Sequence, residues 1–260
     1  MNDRALFEYT LGLADDALVS AQRMGWWISR APELEEDVAL ANIGLDQLGQ
    51  ARSLLTYAGE LEGEGRTEDD LAYLRDDREF RNVKLVERPM TDFGVAMVRL
   101  LAFSTYQLHL YRALTTSGDA TLSGVAAKAV KEVAYHVDHA THWVLRLGDG
   151  TDESHTRMQA ALDAEWPYVD ELFSPCALPE EARHEPSRQD PSLAGRVADP
   201  AELRDPVLTD VRRVVAEATL TVPEVSAALG GGRQGLHTEH LGYLLAEMQH
   251  LHRSHPGATW

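Results

Sequence analysis

Between Ala31 and Leu61 the chain places Leu34, Val38, Ala41, Leu45, Leu48 and Leu55 at alternating spacings of four and three residues, with Arg52 filling the one gap. Such spacing draws an apolar stripe along one side of a helix and predicts that this side faces the core. Pro32 suits the first helical position, where its missing N–H costs nothing. Glu33, Glu35, Glu36 and Asp37 set negative charge against the positive end of the helix dipole. At about 1.5 Å per residue the element spans roughly 46 Å, the length of a bundle helix. A second, mixed face carries Leu40, Ile43, Ala51 and Leu54 together with Gln47 and Gln50.

The rest of the chain reads mainly as further helices. Residues 4–29 predict a first helix, stopped before Pro32 because the residue ahead of a proline avoids the α region. The short link makes the first two helices an antiparallel hairpin. A charged, Gly-containing loop covers 60–70, a short surface helix is expected within 71–80, and Arg88-Pro89-Met90 is a break. Thr91-Asp92 signals the start of a helix to about Thr116, and Ser117-Gly118-Asp119 turns the chain. A fourth long helix over 120–147 stops at Gly148-Asp149-Gly150, and a fifth is expected over about 153–173. Nothing alternates with a strand period. The pattern predicts an all-α, ferritin-like up-down bundle in one domain over 1–260, with the bundle at about 4–173. An irregular, proline-rich excursion over about 175–206 and C-terminal helices over about 205–252 complete the prediction. GGGRQG at 230–235 reads as a flexible turn, and Thr238 as the cap of the last helix.

Charge changes the picture more than composition does. With 42 acidic against 24 basic residues, the formal charge of −18 repels a nucleic-acid backbone or an anionic lipid surface on average. No nucleic-acid or membrane partner is expected. The single cysteine, Cys176, rules out an intrachain disulfide and Cys-based zinc or iron–sulfur sites within one chain. The acidic N-terminus lacks the basic start and apolar run of a signal peptide, and no stretch approaches the ~20 apolar residues of a membrane span. These features predict a soluble, cytoplasmic protein.

The chemistry turns on what is missing. A di-iron bundle takes Glu-x-x-His from each of two helices and one Glu from each of two others. The inward pair on the second helix reads Gln47-x-x-Gln50, and the residue three before His136 is Val133. A neutral amide is a poor iron ligand and valine cannot ligate at all. Asp15 and Asp16 alone cannot replace the missing ligands. A different metal reading stays open: Glu132, His136 and His139 share one helix face, with His142 a turn further on. Against it stands a plain solvated polar face. His237 and His240, three apart, allow either a metal pair or a helix start. Ser20, Ser53 and Ser104 lack a nearby His–Asp pattern, and no Walker or Rossmann loop occurs. The tryptophans at 26, 27, 143, 166 and 260 read as core or interface anchors.

Four stretches carry a resemblance over nearly the whole chain: RAPELEEDVALANIGLDQLGQAR (30–52), AKAVKEVAYH (127–136), LGDGTDES (147–154) and GLHTEHLGYLLAEMQHL (235–251), before a terminal PGATW. They resemble the structural, non-catalytic C-subunit family of the bacterial phenylacetyl-CoA epoxidases. The resemblance implies a multicomponent, NADPH-dependent oxygenase of aerobic phenylacetate breakdown. In it, a related ferritin-like subunit binds the di-iron centre and the CoA thioester, and a reductase supplies electrons. It implies no catalytic residue and no cofactor for this chain, which would pair with the di-iron subunit and keep it folded. The alternative is a metal-dependent enzyme using Glu132, His136 and His139. A helix face is expected to remain for a partner, or for self-association. The second helix leads, because Gln47 and Gln50 are too polar for core unless hydrogen-bonded.

Overall fold

The computed structural model describes residues 3–177 and 190–258. Residues 178–189 of the proline-rich excursion, and Trp260, lie outside them. Among the described residues the chain is helical without strands, in keeping with a ferritin-like bundle. It divides into two compact units: Met1–Pro89, Cys176–Leu193 and Gly230–Trp260 form one, and Met90–Pro175 and Ala194–Leu229 the other.

The first unit is built on the hairpin of α1 (Arg4–Gly25) and α2 (Leu34–Glu62). Asp3 caps α1 by accepting from the Leu6 amide. α2 starts two residues after Pro32, with Glu33 at the cap position, so the proline precedes the helix and does not open it. Instead Asp37 accepts from the amides of Ser29 and Ala31, at 3.0 and 2.9 Å, and fixes the turn from below. Gly63, with φ of 72°, ends the helix in the left-handed region that glycine adopts without strain. The short helices α3 (Glu68–Tyr73) and α4 (Lys84–Glu87) follow, and α9 (Glu239–Ser254) packs against both.

The buried face of α2 is the opposite of the one its leucines predict. Leu40, Ile43, Gln47, Gln50, Ala51, Leu54 and Leu55 are buried. Leu34, Val38, Leu45 and Leu48 keep 74, 54, 63 and 41 % of their surface in solvent. α2 meets α1 through the mixed face, whose small Gly44 lets Met24 approach. Gln47 and Gln50 therefore do not mark a face left open for a partner; the leucine stripe is the open one.

The second unit repeats the hairpin with α5 (Phe93–Leu114) and α6 (Ala120–Gly148). Asp92 caps α5 through the Val95 amide at 2.8 Å, and Asp119 caps α6 through Thr121 and Leu122. α5 is buried nearly all round, which fits its run of apolar and small residues. The predicted fifth helix is shorter than expected: α7 (Asp152–Glu165) gives way to a 3-10 stretch, Trp166–Phe173, because Pro167 has no amide to continue the ladder. α8 (Arg204–Glu217) closes the unit. Gly148 is needed where it stands, since a Cβ there would meet the Ala218 carbonyl oxygen at 2.6 Å. No helix of the described residues is long and apolar enough to cross a membrane.

Candidate functional site

Within the first unit, three buried carboxylates sit where helix, loop and C-terminal segment converge. Asp15 on α1 is inaccessible to solvent. It accepts from both terminal nitrogens of Arg75 and, at 2.8 Å, from the Arg81 amide. Asp16 accepts from Arg233 at 2.7 Å and from the Val83 amide at 2.8 Å. Glu87 at the end of α4 accepts from the Asn82 amide group at 2.8 Å and from the Thr238 amide and hydroxyl at 2.6 and 2.8 Å. It also holds His237 Nδ1 at 2.7 Å. Arg23 of α1 donates to the Glu87 and His240 carbonyls.

These contacts correct one expectation and refine another. GGGRQG is a fixed loop: its Arg233 donates to the carbonyls of Gly12 and Arg81 as well as to Asp16. Gly231 and Gly235 have positive φ, and a Cβ on Gly235 would overlap the Arg78 carbonyl oxygen at 2.2 Å. Thr238 occupies the cap position of α9 but spends its hydroxyl on Glu87 and makes no cap hydrogen bond. His237 and His240 likewise do not form a metal pair, because His237 lies between Glu87 and the Phe80 carbonyl.

The electrostatics follow from burial. Asp16 is pushed up to about 6 from 3.8, by desolvation first, against the pull of Arg233 and the Val83 amide. For His237 desolvation acts to lower the value, but the hydrogen bond and charge of Glu87, helped by the Phe80 carbonyl, outweigh it and the net shift is upward.

A di-iron centre needs carboxylates free to turn toward metal. The first unit offers no buried one of that kind on its two long helices: Gln47 and Gln50 are buried amides, while Asp15 and Asp16 are committed to arginines and backbone amides. In the second unit Val133 is buried three residues before His136. The residues present do not fit the group.

The other metal reading fares no better. Glu132 pairs with Lys128 at 3.4 Å and His142 with Asp138 at 3.4 Å. His136 is buried, while His139 is half-buried, with the Tyr135 ring about 6 Å from each. Among the described residues no three His, Cys, Asp or Glu side chains are grouped to hold a metal ion. A cleft of about 750 Å³ in the second unit is lined by Trp166, Leu208, Arg204, Arg212 and the extended segment 222–227. Arg204 donates to Asp170 there, and Arg212, Glu224 and Ser226 are the cleft's other charged or hydroxyl side chains.

Sequence reasoning missed Arg75, Arg233 and Glu87, whose partners lie 60, 217 and 150 residues away in the chain. Their only advance signal was that three acids on or beside buried helices must find cations somewhere.

The pattern of the family described as phenylacetic acid catabolic protein matches residues 1–260. The C-subunit of the 1,2-phenylacetyl-CoA epoxidase of Escherichia coli strain K12 is 46 % identical over 259 residues, covering 98 % of this chain and 99 % of that protein.

Proposed function

Because the chain belongs to the phenylacetic acid catabolic protein family, we propose that it is a structural subunit of a phenylacetyl-CoA epoxidase, and that it binds and stabilises the catalytic di-iron subunit without supplying a catalytic group. The observation that carries this reading is the commitment of the buried carboxylates. On α1 and α2, where a catalytic ferritin-like chain keeps acids free for iron, this one has fixed Asp–Arg pairs and two glutamines. Such pairs tie distant segments together and leave no buried carboxylate on these helices free to ligate. The di-iron centre then belongs to the partner, and NADPH-derived electrons reach that partner from the reductase of the same complex. A cytoplasmic location suits this role.

Co-expression with the di-iron subunit, followed by size-exclusion chromatography with light scattering, tests the pairing. A single hetero-oligomeric peak at micromolar concentration is expected. Separate elution of the two proteins contradicts the proposal.

A further inference from the structure

One wall of the cleft in the second unit is a stretch of backbone with nothing paired to it. After α8 the chain turns at Ala218 and Thr219, and from Leu220 to Gly231 it runs without helix, turn or bend. Both ends of this stretch are tied down. The side-chain amide of Gln159 accepts from the Thr221 N–H at 2.9 Å and donates to the Thr221 carbonyl at 2.8 Å. Further on, the Ala228 N–H donates to the Pro167 carbonyl at 2.8 Å. Between these ties the backbone of residues 222–227 makes no hydrogen bond among the described residues, although all of them line the cleft. In an extended chain, alternate residues turn their N–H and C=O to the same edge. Glu224 and Ser226 therefore share the edge of Ala228, whose N–H reaches Pro167 on the facing wall. An extended edge of free donors and acceptors is a template for pairing with another chain.

The facing walls select what that chain carries. Arg204, Leu208 and Arg212 of α8 line the cleft at four-residue intervals, each about 6 Å from the next along the helix. Arg204 is held by Asp170. Arg212 is exposed, has no ion pair or hydrogen bond among the described residues, and lies over the Trp166 ring, 5.9 Å from its centre. Leu208 and Val169 are apolar and buried beside it. Residues two apart on one face of an extended chain are about 6.7 Å from each other, close to the one helical turn between Leu208 and Arg212. A guest strand beside 222–227 can thus set an apolar side chain on Leu208 and an acidic one, two positions along, on Arg212. Glu224, exposed and also without an ion pair, repels a second acid.

We propose that this cleft receives an extended segment of a partner protein, which pairs its backbone with Glu224 and Ser226 and carries an acidic residue two positions from an apolar one. Strand addition of this kind draws affinity from main-chain hydrogen bonds and specificity from pockets for alternate side chains. The ties at Thr221 and Ala228 order the host segment in advance, which lowers the cost of binding. The proposal does not rest on the non-catalytic role given above.

Fluorescence anisotropy with a short, capped, labelled peptide tests it, using the purified chain both alone and co-purified with the di-iron subunit. The peptide carries leucine and glutamate two positions apart in a threonine background. Saturable binding is expected, weakened about tenfold or more when glutamine replaces the glutamate, since a hydrogen bond to a charged group is lost. Placing leucine and glutamate side by side should weaken it similarly, because they then lie on opposite faces. Arg212→Gln, an exposed change, should bring the glutamate and glutamine peptides to equal affinity with the helical circular dichroism unchanged. Amide exchange at Glu224 and Ser226 should slow when the peptide is bound. Binding by the chain alone that is blocked in the co-purified pair supports the proposal and names the di-iron subunit as the source of the segment. Absence of binding at millimolar peptide, a glutamate preference that survives Arg212→Gln, or unchanged exchange at 224 and 226 overturns it. So does full displacement of the peptide by acetate, which would make the cleft a simple anion site, or a dimer of the chain that Arg212→Gln dissociates. Co-elution with the di-iron subunit is read separately and is untouched by these results.

Discussion

Removing Arg233 leaves the Asp16 carboxylate buried with only the Val83 amide to hold its charge. Breaking a buried pair from one side costs about 3–5 kcal/mol, and Arg233→Ala is expected to lose that much stability in urea unfolding near neutral pH. The loss should shrink toward about pH 5, where Asp16 can protonate and the orphaned charge disappears. A loss independent of pH would mean that packing of the arginine, not its charge, is what matters. The same titration acts on the parent protein. Asp16 has a folded value of about 6 above the ordinary 3.8, so its contribution is full below pH 3.8 and is lost as pH rises through about 6. His237 is raised above 6.5, so its contribution is full below 6.5 and is lost as pH rises through the higher folded value. Both favour the folded state more at mildly acid than at alkaline pH. The melting temperature should carry a downward contribution from Asp16 between about pH 4 and 6 and from His237 above about pH 6.5, and Asp16→Asn and His237→Gln should each flatten the slope in its own window. An unchanged slope in both variants would refute the assignment.

At the scale of the element, α2 shows how far a sequence can be read. Its existence, length and hairpin with α1 follow from spacing and from the break at Pro32. So do the α5–α6 hairpin and the Asp92 cap. The buried side of α2 did not follow, because the helix has two faces that both look internal. Periodicity ranks faces by apolarity, and the purer stripe is the one left in solvent, while the face with Gln47 and Gln50 packs on α1. Stability can tell the faces apart. Ile43→Ala should cost about 2–5 kcal/mol as a core truncation, whereas Leu45→Ala should stay within about 0.5 kcal/mol. Equal losses at the two positions would contradict the packing described. The Asp–Arg pairs were out of reach for a different reason: a chain with 24 basic residues offers many possible counterions for each acid, and only the fold selects Arg75 and Arg233. Gly235 belongs to the same loop. Gly235→Ala is expected to destabilise, since its φ of 77° and the Arg78 carbonyl leave no room for a methyl group; an unchanged melting temperature would show that the loop adapts.

For the whole molecule, the structure describes a helical protein whose interior charges serve as ties and whose apolar α2 stripe faces outward. Both properties suit a protein that works by association. The chain belongs to the phenylacetic acid catabolic protein family, and the central claim is the proposal that it contributes no metal site of its own. Iron content after anaerobic loading of the purified chain, measured by elemental analysis, tests that claim most directly. The predicted result is iron well below one atom per chain, with no change on His136→Ala. One or more iron atoms per chain, lost on His136→Ala, would contradict it.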